Sequence, residues 1–77
     1  MNDARRKELR KAIDLIAEAR EIIEQCKDDE QECYDNLPEG FQNGEKGEAM
    51  DENISDMDDV ISELEDKESI LEDIVSR

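Results

Sequence analysis

The sequence predicts an all-α protein, an antiparallel two-helix hairpin of the coiled-coil type, and three observations carry this prediction. Large apolar residues recur at every seventh position in each half of the chain, a spacing that keeps them on one helix face. The only proline and two of the three glycines lie between the halves, in residues 36–44. The 77 residues are enough for one domain. We therefore expect a single helical-hairpin domain over residues 1–77.

The first helix is expected over about residues 3–35. Leu9, Ile16 and Ile23 follow one another along it at heptad spacing. A second series, three positions further on, consists of small residues: Ala12, Ala19, Cys26 and Cys33. A helix with large residues in one series and small ones in the other can lie close to its partner. We therefore expect these two series to form the seam of the hairpin.

Cys26 and Cys33 both belong to this expected seam. Their seven-residue spacing separates them by about 10 Å along one helix, which is too far for a disulfide between them. We expect both to be small, reduced core residues. The alternative is an intermolecular disulfide through Cys26 or Cys33.

The turn is expected over about residues 36–44, because Pro38 forces Leu37 out of the helical conformation and so ends the first helix. Asn43 or Gly44 can cap the helix that follows. That helix begins with acidic residues, which the helix dipole favours at this end.

The second helix is expected over about residues 45–76. Two apolar series run along it, Met50, Met57, Leu64 and Leu71 in one, and Ile54, Ile61 and Val75 in the other. Glu68 interrupts the second series. If the numbers of facing residues add to about 80, large residues of the two helices meet and Ala12 faces Glu68.

A single seam gives a small core, and chains of this size often gather more by self-association. Further apolar residues lie beside the seam, namely Ile13, Ile22, Val60, Ile70 and Ile74. We therefore expect two hairpins to dimerise into a four-helix bundle, with a monomer as the alternative. The residues assigned to the core and to self-association are Leu9, Ile13, Ile16, Ile23, Met57, Ile61, Leu64 and Leu71.

Charge is distributed unevenly along the chain. There are 25 acidic and 10 basic residues, for a net charge of -15. Residues 1–27 carry a net charge of +1, and residues 28–77 carry -16. This excess of acids argues against direct binding of nucleic acid or of an anionic membrane. The absence of histidine excludes Ser-His and Cys-His catalytic pairs.

The bases of the first helix cluster near its start, at Arg5, Arg6, Lys7, Arg10 and Lys11. In an antiparallel hairpin this cluster lies beside the acidic end of the second helix. We expect ion pairs between the two, each of small energy at the surface, with an anion-binding patch as the alternative.

Eight acids of the second helix project away from the seam: Asp51, Glu52, Asp58, Asp59, Glu63, Glu65, Asp66 and Asp73. Lys67 is the only base among them. One interpretation is a solvated face that keeps the protein soluble. The other is a surface that imitates the phosphates of nucleic acid and occupies a basic groove of another protein.

Two acidic patterns bear on metal binding. Residues 51–56 begin like a calcium-binding loop, but Asp56 stands where that loop needs glycine. A second pattern looks like the Mg²⁺-binding motifs of all-α nucleoside-triphosphate pyrophosphohydrolases: Glu18, Glu21, Glu48 and Asp51. The hairpin register separates its two halves. We expect neither metal nor cofactor, and a Mg²⁺-dependent nucleotide hydrolase is the least favoured alternative.

The turn and its flanks read Tyr34-Asp35-Asn36-Leu37-Pro38-Glu39-Gly40-Phe41-Gln42, followed by Glu45-Lys46 and Glu48. This stretch resembles a pattern in short acidic helical proteins encoded by bacteriophages and prophages of Gram-positive bacteria. The resemblance implies a phage context, in which small acidic proteins often inhibit host enzymes or defence systems. It assigns no activity to any residue.

The only two aromatic residues, Tyr34 and Phe41, both lie at the turn. We expect Leu37 and Phe41 to fold over the end of the seam with Tyr34 and Met50, closing the core where the helices part. A tip that docks to a partner is the alternative.

The expected function is that of a non-enzymatic protein-binding module, an inhibitor whose acidic second helix blocks a basic surface of a host protein. A self-associating structural or assembly protein is the main alternative. The expected partners are a second copy of the chain and a basic host protein, without direct nucleic-acid or membrane binding. The polar, basic start after Met1 and the lack of a long apolar segment favour the cytoplasm of a bacterial host cell.

Overall fold

The computed structural model describes all 77 residues, which form three helices and no strands. Helix α1 spans Asp3–Asp35, α2 spans Glu39–Gln42 and α3 spans Glu45–Ser76. The helices α1 and α3 pack along each other in opposite directions, giving an elongated hairpin of 58 × 14 × 13 Å. The predicted all-α hairpin is confirmed, and both long helices have the expected bounds. The short helix α2 within the turn was not predicted.

The ends of the long helices follow from local sequence. At the start of α1, the side chain of Asn2 accepts a hydrogen bond of 2.8 Å from the backbone N–H of Arg5, which satisfies one of the free donors of the first turn. At its end, the backbone N–H of Asn36 donates to the carbonyl of Glu32. Gly44 precedes α3 in an extended conformation and provides no side-chain cap.

The turn is held by Gln42 and Gly47. The Gln42 side-chain amide donates to the carbonyls of Tyr34 and Leu37, each at 3.1 Å, and so satisfies carbonyls left free at the end of α1. Gly47 is buried against the Gln42 backbone, where an added Cβ would lie 2.7 Å from the Gln42 Cα. Only a residue without a side chain allows α2 to lie this close to the first turn of α3.

The seam on α3 is the predicted one. Ile61 and Val75 are the most buried apolar residues, at 6% and 7% exposure, and Ile54 and all four residues of the Met50 to Leu71 series are half-buried. Glu68, which interrupts the series, is 7% exposed. The α3 side of the core is therefore continuous from the turn to the last turn of the helix.

The seam on α1 differs from the expected one. The large series Leu9, Ile16 and Ile23 is half-buried, but the series beside it lies four positions further on, not three. It consists of Ile13, Arg20, Lys27 and Tyr34, all half-buried. The long aliphatic stems of Arg20 and Lys27 cover the seam while their charged ends reach acids of α3. Polar residues at seam positions therefore displaced the small-residue series from the core.

The expectation that both cysteines are core residues is wrong. Cys26 and Cys33 are exposed, with free thiols, and Ala19 of the same series is exposed as well. All three lie on one side of α1, next to the seam and not in it.

The register is also shifted from the expected one. In the four polar contacts that join α1 to α3, the numbers of the paired residues add to between 83 and 88, and Arg20 rather than Ala12 meets Glu68. The physical reason lies in the turn. The first turn of α3 packs beneath α2 through Gly47, so the pairing of α3 with α1 begins only after it.

Only part of the cluster expected at the turn closes the end of the core. Tyr34, Leu37 and Met50 are half-buried, as expected. Phe41 is 62% exposed, and its assignment to the core is wrong. Helix α2 places Gln42, not Phe41, against the end of α1, so the Phe41 ring is left on the outer side of the turn.

Candidate protein-binding surfaces

The hairpin presents two different flanks, one on each side of the seam, and the first is closed by charge pairs. Arg20 lies at its centre, with its guanidinium 2.9 Å from Glu68, 3.2 Å from Glu24 and 3.6 Å from Glu65. About two turns further along α1, Lys27 meets Asp58 of α3 at 3.1 Å. We call this side the charged flank.

The electrostatics of the charged flank centre on the contact between Arg20 and Glu68. The hydrogen bond to Glu68 raises the pKa of the Arg20 guanidinium above its ordinary value, and the charges of Glu68 and Glu24 act in the same direction against partial desolvation. An arginine is charged at any ordinary pH, so Arg20 supplies the positive partner for a carboxylate held within the seam.

The opposite side is the apolar flank. On α1 it consists of residues that alternate three and four apart and so share one helix face: Ala12, Leu15, Ala19, Ile22 and Cys26. On α3, Val60 belongs to the same side, because Val60 and Cys26 line one shallow groove together with Ile23 and Met57. Leu15 is 65% exposed and Ile22 60%. This flank therefore leaves large apolar side chains without a partner within the hairpin.

The acids assigned to partner binding are all exposed, but the structure divides them into two groups. Asp58 pairs with Lys27, and Glu65 lies 3.6 Å from Arg20. The other six form no ion pair: Asp51, Glu52, Asp59, Glu63, Asp66 and Asp73. We call these six residues the acidic face. It runs along the outer side of α3, away from α1.

The basic cluster at the start of α1 does not form the expected pairs with α3. Arg6 pairs with Asp3 at 3.2 Å and Lys11 with Glu8 at 3.0 Å, both within α1. The cross-helix pairs come from Arg20 and Lys27 instead, because the register places those residues, and not the cluster, beside acids of the α3 seam. The charges of Arg5, Lys7 and Arg10 have no ion-pair partner.

The residues assigned jointly to core and self-association lie inside the hairpin. Ile61 is buried, and the remaining seven are half-buried: Leu9, Ile13, Ile16, Ile23, Met57, Leu64 and Leu71. Their apolar surface is largely used between α1 and α3. The sequence reasoning missed Leu15, although its spacing of three from Ala12, four from Ala19 and seven from Ile22 was a usable signal.

The four acids of the Mg²⁺-like pattern are all exposed. No three or more Asp, Glu or Cys side chains come together as a metal-binding group. None of the helices contains a segment that is both long and apolar enough to cross a bilayer.

The chain matches no known protein family, no curated protein and no solved structure. The case for its function therefore rests on its own surfaces.

Proposed function

We propose that this chain is a non-enzymatic protein-binding module whose acidic face occupies a basic, nucleic-acid-binding groove of another protein. The observation that carries this proposal is the segregation of charge. Six acids stand exposed and unpaired along the outer side of one helix, while three acids of α3 that lie beside α1 are paired with Arg20 or Lys27. Solubility needs net charge, but it does not need the charge gathered on one face.

The charge density of α3 supports imitation of a nucleic-acid strand. Its 32 residues contain 13 acids and two bases, a net charge of -11. At 1.5 Å per residue the helix is about 48 Å long, so it carries roughly one net negative charge per 4 Å. A single DNA strand carries about one per 3.4 Å. A groove lined with Lys and Arg would thus meet a comparable field.

The chemistry also favours a protein partner over a small molecule. The acidic face lies on a convex helix and forms no cavity. Its carboxylates can each accept charge-assisted hydrogen bonds from Arg or Lys, bidentate ones from Arg. An anionic ligand could not make these contacts with the carboxylates, because it carries the same charge. We extend the proposal to a phage-encoded inhibitor acting in the cytoplasm of a Gram-positive host, an extension that rests on the turn resemblance.

The test is capture of basic proteins from a Gram-positive bacterial lysate on immobilised protein, followed by elution with short double-stranded DNA. We expect DNA to release the captured protein and a neutral polymer of similar size to leave it bound. The triple variant Asp59→Asn, Glu63→Gln, Asp66→Asn should capture at least tenfold less, because it removes half of the acidic face.

A control variant that removes the same number of charges elsewhere tests whether binding depends on the position of the acids or only on the net charge of the protein. The variant Asp14→Asn, Glu21→Gln, Asp28→Asn removes three exposed acids from α1 and should capture normally. Equal losses in the two triple variants would show a nonspecific effect of net charge. Capture that DNA fails to displace would refute occupation of a nucleic-acid groove.

Self-association into a four-helix bundle is a second proposal, which the apolar flank favours. Leu15, Ile22 and Val60 are 65%, 60% and 43% exposed and share one side of the hairpin. The other exposed large apolar residues lie elsewhere: Met1, Phe41 and Ile70. A contiguous apolar patch marks an interaction site more often than single exposed residues do.

A further inference from the structure

We propose that the apolar flank binds a second copy of this chain, with the two α1 helices antiparallel and related by a twofold axis beside Ala19. This inference gives a surface and an orientation to the self-association proposed above, and it rests on that proposal. It follows from three properties of the flank: its symmetry, its charge and its size.

The apolar stripe of α1 is symmetric about Ala19. Ala12 and Cys26 lie seven residues to either side of it, and Leu15 and Ile22 lie four before and three after. A twofold axis at Ala19 therefore places Leu15 against Ile22 of the second copy, and Ala12 against its Cys26. Such self-complementarity is what an isologous interface requires. The small Ala19 side chain at the axis lets the two helix backbones approach closely.

The stripe on α3 has the same symmetry. Val60 and Ile74 lie on the side of α3 that adjoins the apolar flank, seven residues to either side of Lys67. The register places Lys67 opposite Ala19 of the same hairpin, because the cross-helix contacts join residues whose numbers add to 83–88. One axis thus relates the apolar residues of both helices.

The charge of α1 is complementary to itself in the antiparallel orientation only. Residues 5–11 contain five bases and one acid, and residues 28–35 contain five acids and no base. A twofold axis at Ala19 brings the basic end of each α1 to the acidic end of the other. A parallel pair would instead set like charges together at both ends, which is unfavourable.

Two exposed residues beside the flank give this complementarity a definite contact, in which Lys11 exchanges its partner Glu8 within α1 for Asp29 of the other copy. Lys11 and Asp29 both lie along the edge of the stripe, nearly equidistant from Ala19. Within one helix they are about 27 Å apart and cannot interact. Across the proposed axis, Lys11 of each copy lies beside Asp29 of the other. Glu18, close to the axis, meets its own copy, so Glu18→Gln should strengthen the dimer.

The size of the flank fits a stable dimer. The molecule is 58 Å long and 14 Å broad. A dimer that uses one whole long side of the hairpin would cover roughly 800 Å² per copy, about the area that each partner contributes to a standard protein interface, with the stripe from Ala12 to Cys26 forming its central 21 Å or so. Ala19 is the central residue of α1, Asp3–Asp35, so an antiparallel pair about Ala19 overlaps over its whole length. The acidic face of α3 remains outside this contact except at its edge, where Glu63 shares a side of the helix with Val60 and Lys67.

The first measurement is the mass of the full chain in solution by light scattering. We expect twice the monomer mass of 8.9 kDa, and a return to the monomer in Ile22→Glu with helicity by circular dichroism retained. Phe41→Glu changes a residue of equal exposure at the turn and should stay dimeric. A wild-type monomer at all concentrations would overturn the proposal.

The position of the twofold axis is tested by oxidative cross-linking of Ala19→Cys in a chain with Cys26→Ser and Cys33→Ser. Near-complete disulfide-linked dimer is expected, because the twofold axis brings the two introduced thiols together. Glu21→Cys in the same background lies away from the flank and should give little. A dimer in which Ala19→Cys fails to cross-link would refute the antiparallel orientation about this residue.

A charge-reversal cycle tests the antiparallel orientation, because only that orientation sets Lys11 of one copy beside Asp29 of the other. Lys11→Glu and Asp29→Lys should each weaken the dimer several-fold, and the double variant should recover wild-type dissociation. Lack of recovery would count against the pairing. All these variants leave the acidic face intact. If they lose the dimer but still capture a partner from lysate, the two proposals are tested independently of each other.

Discussion

Glu68 is the residue on which the seam departs most from a simple apolar pattern. Its carboxylate is 7% exposed and lies 2.9 Å from the Arg20 guanidinium. A buried carboxylate is tolerated only when it is paired and hydrogen-bonded. Arg20 and Glu68 both stand at heptad positions, so their contact also opposes any sliding of α1 along α3. We infer that this pair fixes the register of the hairpin.

We expect Glu68→Gln to lower the midpoint of thermal unfolding clearly more than Glu65→Gln, because both residues contact Arg20 but Glu65 is on the exposed rim. The double variant Arg20→Met, Glu68→Leu should recover much of the loss, since an apolar pair of similar size can replace a buried ion pair. Thermal unfolding followed by circular dichroism measures all three. Equal effects of the two glutamine variants would contradict a special role for Glu68.

The elements differ in how far the sequence determines them. Both long helices and the α3 seam follow from heptad spacing, and Pro38 marks the turn, so these could be predicted. The α1 seam could not, because Arg20 and Lys27 at core positions read as surface residues. Their side chains enter the core only because acids of α3 lie within reach, and this is a property of the pair of helices.

The turn was predicted in place but not in form. In the contacts that define the turn, the Gln42 side chain donates to the carbonyls of Tyr34 and Leu37, and the Gln42 backbone packs against Gly47. These contacts bridge five to eight residues and leave no periodic signal. A glycine inside an otherwise regular helix was the one available clue, since glycine there is normally unfavourable.

Gly47→Ala tests the packing of α2 on α3. In an ordinary helix interior this change stabilises, but here the added Cβ meets the Gln42 backbone. We expect a loss of about 1–3 kcal/mol in the free energy of unfolding. Gly40→Ala, where the added Cβ meets no atom within 4 Å, should be neutral or gain about 0.5–1 kcal/mol. Denaturant titration measures both, and a stabilised Gly47→Ala chain would show that α2 does not pack here.

At the scale of the whole molecule, the hairpin separates its surface into regions with different chemistry. The charged flank is satisfied by its own ion pairs, the apolar flank exposes Leu15 and Ile22, and the acidic face lies on the outer side of α3. The acidic face was visible in the sequence because charge and helix periodicity suffice to place it. The apolar flank was missed, because the heptad spacing assigns Ala12, Ala19 and Cys26 to the seam, so that the matching spacing of Leu15 was not recognised as a separate face.

The two proposed surfaces are compatible with one another. A dimer formed through the apolar flank covers α1 and the adjoining side of α3, whereas the acidic face, apart from its edge at Glu63, points away from that contact. Each dimer would then carry two acidic faces. Two linked binding surfaces raise the apparent affinity for a partner with repeated basic sites.

We propose that the acidic face binds its partner through its pattern of charges. The salt dependence of partner binding tests this proposal most directly. The dissociation constant of a captured partner should rise steeply with salt for the wild type, as screening weakens the attraction. The variant Asp59→Asn, Glu63→Gln, Asp66→Asn should bind more weakly and with a shallower dependence on salt. The control Asp14→Asn, Glu21→Gln, Asp28→Asn should keep the wild-type slope. Binding that is insensitive to salt, or equal slopes for the wild type and the acidic-face variant, would contradict the account.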